Sequence, residues 1–429
     1  MRRSTGVCAH ACNTLKTPHM GVKYMRSFND SKLLLSIIFV SFLLILNSSV
    51  TKDLRPLYFV EVGATYVQLG LLMALPSLVM LLIRVPASTL SYRLGRWWMM
   101  FFSIVLSIAT TTLFAFVRDP IWFFPVVSIA ALTWAIYSPI AVEYVSYKST
   151  SATRGSTMGI YFTSIAAATF VGPLIASILM VFWDFRQLFL ASALFPLVSM
   201  VIFLIIVKPS EVAEYELKNT NGEQSSLGIS TSFLRIFKNC NFVSMCIARI
   251  AWSISMGVFS VVYPVYAGIN LGLSPSLISL LFTFRGVTNM IIRMPAGKLS
   301  DKIGRKKPFI LAYAVAIIVY ALLAYFNSFT LLILVMAAYG LAWGMRIAPS
   351  MAFVSESVKD EDRPLALSIF LTMFDLGSMI GSLFVGLTGI YLSSQTLLLI
   401  CSPLMALALI IFVLFSKEVD GTVTLIVSS

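Results

Sequence analysis

Twelve apolar stretches run along the 429-residue chain, and each has about the length that a helix needs to cross the hydrocarbon core of a bilayer. They cover residues 33–57, 67–91, 97–117, 121–145, 156–181, 187–207, 241–266, 275–296, 308–326, 329–354, 364–390 and 395–416. Only 11% of the residues are charged, whereas soluble domains carry about 25%, so much of the surface must face lipid. The sequence therefore predicts an all-α membrane protein with twelve transmembrane helices.

The longest polar segment lies near the middle of the chain and separates the sixth stretch from the seventh. Within it, Phe233, Ile236 and Phe237 predict a short interfacial helix that leads into the seventh span. The predicted domains are a cytoplasmic N-terminal tail at 1–32, a six-helix bundle at 33–207, a cytoplasmic linker at 208–240, a second six-helix bundle at 241–416 and a cytoplasmic C-terminal tail at 417–429.

Basic residues lie mainly on one side of the predicted membrane. If the N-terminus is cytoplasmic, 22 of the 31 Lys and Arg residues fall on the cytoplasmic side, four on the outer side and five within spans. Because Lys and Arg concentrate in cytoplasmic loops, this asymmetry predicts a multi-pass protein of the cell membrane with both termini in the cytoplasm. The net charge of +13 therefore reflects orientation, and the scatter of the basic clusters argues against a nucleic-acid partner.

An internal repeat relates the first six spans to the last six. Residues 83–96 and 292–305 are identical at eight of fourteen positions, at a constant offset of 209, and the same offset pairs Gly172 with Gly381. In transporters built about an axis along the membrane normal, two parallel repeats enclose a site at their interface. We therefore expect two pseudo-symmetric six-helix bundles around a central cavity.

The loop after the eighth span carries a motif. Its sequence, GKLSDKIGRKK at 297–307, resembles the loop motif G-x-L-x-D-R-x-G-R-K/R of the major facilitator superfamily, with Lys302 in place of the usual Arg. The resemblance implies a secondary transporter of 6+6 helices and a loop that latches the outward-facing state. Here Gly297 would allow close helix approach, Gly304 would permit the turn, and Asp301 would cap a helix or pair with an Arg. The alternative is that the basic residues of the loop only follow the charge asymmetry.

The fifth span resembles the motif G-x8-G-x3-G-P-x2-G-G, which marks exporters in this superfamily. The matching positions hold Gly159, Ala168, Gly172, Pro173, Ala176 and Ser177, so three of the six glycine or proline positions are kept. Small residues let helices approach closely, and a proline inside a helix removes a hydrogen bond, which predicts a kink at Gly172 and Pro173. The resemblance favours export; a general small-residue packing face is the alternative.

Four ionisable residues lie deep in predicted spans, and all four belong to the second half of the chain: Arg249, Arg285, Arg346 and Asp375. The resemblance places their spans around the central cavity. Charged groups within a bilayer usually face protein or a water-filled cavity. We expect Arg285 and Arg346, and more weakly Arg249, to bind an anionic or hydrogen-bond-accepting part of a substrate. The alternative is a set of fixed ion pairs inside the second half.

Asp375 is the best-placed carboxylate for proton coupling, because none of the predicted spans contains a histidine. A substrate that competes with Asp375 for a nearby arginine would change the protonation of the carboxylate, which is a mechanism for exchange.

Further contacts are predicted at the cytoplasmic ends of the spans and in the cavity. Glu143 and Glu356 lie near the ends of spans four and ten, and we expect them to face Arg96 and Arg305 of the adjacent loops as gate pairs. Neutral side chains that could contact a substrate, with packing as the alternative for each, are Asn47, Tyr137, Tyr161, Trp252, Tyr263, Asn289 and Trp343.

Other classes of function lack their motifs in this sequence. No phosphate-binding G-x4-G-K-[ST] loop and no H-E-x-x-H motif occurs, and Cys8, His10 and Cys12 match no common zinc pattern. We therefore expect no enzyme activity, no metal and no cofactor.

The sequence predicts a monomeric transporter that moves a small organic molecule by alternating access, with proton-coupled efflux. The alternatives are uptake of an organic anion and a non-transporting membrane sensor on the same fold.

Overall fold

The computed structural model describes residues 28–149, 154–207 and 229–418. In these ranges twelve helices are long and apolar enough to cross a membrane. They are α1 (Phe28–Lys52), α2 (Tyr66–Leu94), α3 (Arg96–Phe116), α4 (Phe123–Lys148), α5 (Arg154–Leu179), α6 (Phe185–Ser192 and Leu194–Ile206 in series), α7 (Cys240–Val265), α8 (Pro275–Ile303), α9 (Lys306–Tyr325), α10 (Phe329–Ser357), α11 (Arg363–Thr388) and α12 (Ser394–Phe415). The predicted fold class is confirmed.

The sequence repeat is also a repeat of helix boundaries. Helices α2 and α8 both have 29 residues, and α5 and α11 both have 26, and in each pair the boundaries differ by the offset of 209 found in the sequence. Gly95 ends α2 with φ of 84°, and Gly304 ends α8 with φ of 91°. Only glycine adopts such a conformation readily, so both copies of the loop turn in the same way.

Two helix pairs join the halves, and they are related by the same pseudo-symmetry. Helix α2 packs along α11, and α5 packs along α8. Within the halves, α3 packs on α4 and α6, and α9 packs on α10 and α12. The helices that join the halves therefore include α8 and α11, which carry two of the four predicted buried charges.

The halves meet closely on one side of the membrane. Because twelve spans alternate in direction, α1 begins and α12 ends on the same side, which we call the terminal side; the opposite side is the distal side. Near the distal ends of α2 and α11, a Cβ added to Gly70 would lie 2.7 Å from the carbonyl oxygen of Ser382. Likewise Ser276 Oγ, at the start of α8, donates a hydrogen bond of 2.6 Å to the carbonyl oxygen of Ser177, near the end of α5. The structure is thus closed at its distal side.

Two local features refine the predicted boundaries. Helix α1 ends at Lys52, earlier than the predicted residue 57, and a separate short helix follows at Arg55–Glu61. Pro56 lies in the first turn of this short helix, where its missing N–H is tolerated, but it could not continue α1. The predicted short helix before the seventh span is present at Ile229–Phe237, and Arg235 Nη1 lies 3.3 Å from Asp362 Oδ2.

Candidate functional site

Arg346 lies in the middle of α10 and is 1% exposed. Its guanidinium carbon is 4.4 Å from the centre of the Trp252 ring of α7, a cation–π contact. Within the part of the chain that the structure describes, Nε and Nη1 have no hydrogen-bond partner and no carboxylate pairs with the group. A buried charge without a counterion is costly to a fold, so such a group is retained where another species completes its bonding.

Arg249 lies one helix away, on α7, and is 7% exposed. Two rings of α11 enclose its guanidinium: Phe370 at 4.5 Å and Phe374 at 5.1 Å from the ring centres. Its buried Nε also has no hydrogen-bond partner among the described residues. Arg346 and Asp375 are both close enough to act electrostatically on this group.

These arginines give the second half a positively charged, aromatic-walled interior between α7, α10 and α11. Stacking on rings fixes the planes of both guanidinium groups. A planar guanidinium offers parallel N–H donors that match a carboxylate or phosphate, and two of them nearby can hold one anion. The arrangement is therefore suited to binding an anionic group.

Asp375 lies on α11, seven residues before Ser382, so the two share one face of the helix. The carbonyl oxygen of Ser382 faces Gly70 of the first half. Gly386, eleven residues after Asp375, packs against Gly70 of the first half, so Asp375 lies about three turns nearer the terminal side on that helix face. Among the predicted residues, the structure brings Asp375, Arg249 and Arg346 together.

Arg285 lies at the junction of the halves, and both Arg285 and Arg346 are within electrostatic range of Tyr339. Its Nη2 is 3.5 Å from Oδ1 of Asp53, which follows the distal end of α1. The guanidinium also lies over Phe282 at 4.5 Å and Trp343 at 5.4 Å. Sequence reasoning did not identify Asp53, because nothing in the sequence relates two residues that are 232 positions apart.

Two of the seven neutral residues predicted to contact substrate, Tyr137 and Asn289, have other hydrogen-bond partners in this conformation. Tyr137 is fully buried inside the first half, and its hydroxyl lies 3.0 Å from Ser41 Oγ, so the ring does not reach the space between the halves. Asn289 is buried on α8, and its Oδ1 accepts a 2.9 Å hydrogen bond from Arg293 Nε. A contact of Tyr137 or Asn289 with a substrate stays a prediction.

Both predicted ion pairs at the terminal ends of the helices are present. Arg96 Nη2 lies 2.9 Å from Glu143 Oε1 in the first half, and Arg305 Nη2 lies 2.8 Å from Glu356 Oε1 in the second. Hydrogen bonding to Glu356 raises the pKa of Arg305, which keeps it charged. Each pair joins helices of one half only, and a role in gating stays a prediction.

The loop motif has the predicted turn, and its first glycine has room around it. Gly304 has positive φ, and Asp301 pairs with Arg305. In contrast, a Cβ added to Gly297 would lie 3.7 Å from the Cβ of Ala348, an ordinary contact. In this conformation α8 and α10 leave room for a methyl group at Gly297, and its role in close helix approach stays a prediction.

The exporter-like residues of α5 pack against α1. A Cβ added to Gly172 would lie 2.7 Å from the backbone carbon of Ser49, so even alanine would clash. Pro173 lies inside the helix, which continues to Leu179, and the predicted kink stays a prediction. A Cβ added to Gly159, nearer the terminal side, would meet nothing within 4 Å.

No group of His, Cys, Asp and Glu side chains able to hold a metal ion occurs among the described residues. Cys8, His10 and Cys12 lie outside them. A cavity of 370 Å³ lies at the distal side, near Tyr266, Asn327 and Gln395, and has no charged residue in its lining. It is separate from the buried arginines.

Comparison with known proteins covers nearly the whole chain. The sequence model of the Major Facilitator Superfamily matches residues 34–254 and 242–424. An uncharacterised MFS-type transporter of Methanocaldococcus jannaschii is 24% identical over 336 residues, which are 77% of this chain and 84% of that protein. A second such transporter of the same organism is 41% identical over 93 residues, 22% of this chain and 23% of the other.

Solved structures share the fold at low sequence identity. The nucleoside transporter NupG superimposes with a TM-score of 0.73 at 16% identity, covering 89% of this chain and 98% of its own. A bacterial homologue of the human lysosomal transporter Spinster, in an inward-facing and unoccupied conformation, gives 0.70 at 14% identity, covering 91% and 96%. A POT family transporter in complex with 5-aminolevulinic acid gives 0.71 at 12% identity, covering 89% and 96%.

Proposed function

The chain belongs to the Major Facilitator Superfamily, and is a multi-pass membrane transporter of that type; from this premise we propose that it exports a small organic anion by proton-coupled alternating access. The observation that carries the proposal is the guanidinium of Arg346, buried in α10 and stacked on Trp252 with two nitrogens that have no partner among the described residues. An anionic substrate completes the bonding of this group.

Arg249 is the second contact to the anion. It is held between two phenylalanine rings and lies within electrostatic range of Arg346. Two nearby cations repel each other, and an anion between them relieves that repulsion. The site therefore favours a substrate with a carboxylate or a similar group, and the rings around it favour an apolar body next to that group.

Asp375 is the proposed proton carrier. Both the substrate anion and the ionised carboxylate are attracted by Arg249, so binding of the anion favours protonation of Asp375 in the same state. Release of the proton then makes the carboxylate a competitor of the substrate. Proton and anion are thus bound together and released together, so they move in the same direction: export follows the outward gradient of the anion and carries protons with it, rather than exchanging with them.

The exporter-like motif of α5 supports export from the cytoplasm. The small-residue motif of α5 packs directly on α1 at Gly172, as expected for the exporter-like resemblance. Uptake of the same anion would use the same arginines and would be driven by an inward proton gradient.

The proposal is tested by flux in reconstituted vesicles. We expect pH-gradient-driven movement of organic anions in a compound panel, and loss of that dependence in Asp375→Asn while downhill flux of the same anion continues. The matched control is Asp119→Asn, because Asp119 only caps a short distal turn. Accumulation that still follows the pH gradient in Asp375→Asn would remove Asp375 as the carrier, and binding without flux would indicate a sensor.

A further inference from the structure

The ion pair between Asp53 and Arg285 links the two halves at a point that the proposed substrate site does not use. Asp53 belongs to the turn between α1 and the short helix Arg55–Glu61, and Arg285 is the eleventh residue of α8. The side chains are 15% and 16% exposed, so the pair is largely shielded from water.

The surroundings of the pair show that it lies within the distal closure. The side chain of Leu57, in the short helix of the first half, packs against Gly268, just beyond the end of α7 in the second half; a Cβ added to Gly268 would lie 2.8 Å from Leu57 Cδ1. One residue after Arg285, the position of Gly286 faces Phe170 of α5, where a Cβ would lie 2.7 Å from the Phe170 Cβ. Charged groups on the two sides of this junction are therefore brought together only while the halves are closed here.

The geometry of the pair is that of a contact that can separate. It is a single contact of 3.5 Å, whereas Arg305 makes contacts of 2.8 and 3.2 Å to both oxygens of Glu356 within one half. Arg285 also lies over Phe282 and Trp343, both in the second half. Its guanidinium therefore keeps these cation–π contacts when Asp53 moves away. Lys52, next to Asp53, provides a second cation for the carboxylate.

We propose that Asp53 and Arg285 form a distal latch, which stabilises the distally closed state and breaks when the halves part on that side. Arg285 thereby has a conformational role distinct from that of Arg249 and Arg346. The proposal rests on alternating access as the proposed function, and it names the side chains that hold one of its two states. Neutralising either partner shifts the equilibrium toward distal opening.

The latch is tested by the reactivity of a thiol in the distal seam. Ser177 is 7% exposed there, and Ser177→Cys is close in volume to the native residue. In a background without the five native cysteines, a maleimide should react slowly with purified Ser177→Cys protein in nanodiscs. Adding Asp53→Asn or Arg285→Gln should raise the labelling rate about fivefold, the shift expected from losing a largely buried ion pair.

Two further variants separate a latch from general loosening. The exchanged pair, Asp53→Arg with Arg285→Asp, should label more slowly than either Asp53→Arg or Arg285→Asp alone. The matched control is Glu61→Gln, an exposed carboxylate of the same distal segment, which should leave the rate unchanged. An unchanged rate in both neutralised variants, or an equal rise in Glu61→Gln, would overturn the latch.

These measurements need no substrate. A protein that shows the fivefold change and transports no anion retains the latch and contradicts the proposed function. A protein that transports anions with no change in labelling contradicts the latch alone.

Discussion

Each half of the molecule buries arginine side chains, but it surrounds them differently. In the first half, Arg96 is fully buried at the terminal end of α3, and Glu143 lies 2.9 Å from it. In the second half, Arg346 is equally buried, yet it lies against Trp252 and pairs with no described carboxylate. The same backbone plan thus holds one arginine as part of its structure and keeps the other available for a ligand.

The two halves thus share their helix geometry but differ in the partners of their buried arginines. Some buried polar groups of the first half bond to one another, as when Asn47 Nδ2 donates a 2.9 Å hydrogen bond to Thr111 Oγ1, while Asn47 Oδ1 and the Tyr161 hydroxyl have no partner among the described residues. In the second half, Arg249 and Arg346 have buried nitrogens without partners in the described chain. We therefore expect substitutions in the first half to change stability and those in the second half to change transport.

The largest effect is expected for Arg346→Gln. Removing this charge should lower transport of an anionic substrate about 100-fold, because a buried charged contact to a ligand is lost. Its counterpart in the first half is Tyr137→Phe, which removes one hydroxyl bonded to Ser41 and should leave transport within about twofold. Flux in vesicles with equal amounts of folded protein measures both. Equal losses of transport in the two variants would contradict the proposed difference between the halves.

The free energy of unfolding should be lowered more by a substitution in the first half than by the matching substitution in the second half. Glu143→Gln leaves the fully buried Arg96 with a neutral neighbour, and we expect a loss of about 3 kcal/mol in the free energy of unfolding. Glu356→Gln acts on Arg305, whose side chain is 18% exposed, and should lower it by about 1–2 kcal/mol. Thermal unfolding in detergent compares the two. A larger loss in Glu356→Gln would contradict the structural role assigned to the first pair.

A third comparison concerns the glycines of the repeated loop. Gly95→Ala and Gly304→Ala should each destabilise by about 1–3 kcal/mol, because both residues have positive φ. The added Cβ at Gly304 would also meet the Glu418 carboxylate, so its loss should be the larger of the two. Gly297→Ala should be neutral, since ordinary contact distance is kept. A strongly destabilised Gly297→Ala would support the close-packing role predicted from the sequence.

Much of the fold could be predicted from the sequence, because hydropathy sets helix length and the repeat sets register. The offset of 209 read from a fourteen-residue match recurs in the boundaries of α2 and α8. The partners Glu143 and Glu356 could also be predicted, since opposite charges at adjacent helix ends lie close together.

The candidate site was less predictable, because hydropathy does not tell which face of an apolar helix meets which neighbour. Helix α4 is apolar all round, so its sequence could not show that Tyr137 points into the first half. The pairing of Arg285 with Asp53 depends on how the halves close, a property of the tertiary structure. Arg346 was identified because a charge in the middle of a span is rare.

The account depends most directly on the recognition of an anionic group by the second half. The measurement is binding and flux of paired compounds that differ only in a carboxylate or the corresponding carboxamide, in the native protein and in Arg346→Gln. We expect the native protein to prefer the carboxylate by about 100-fold and Arg346→Gln to lose most of that preference. Equal handling of both compounds by the native protein, or a preference unchanged in Arg346→Gln, would contradict the account.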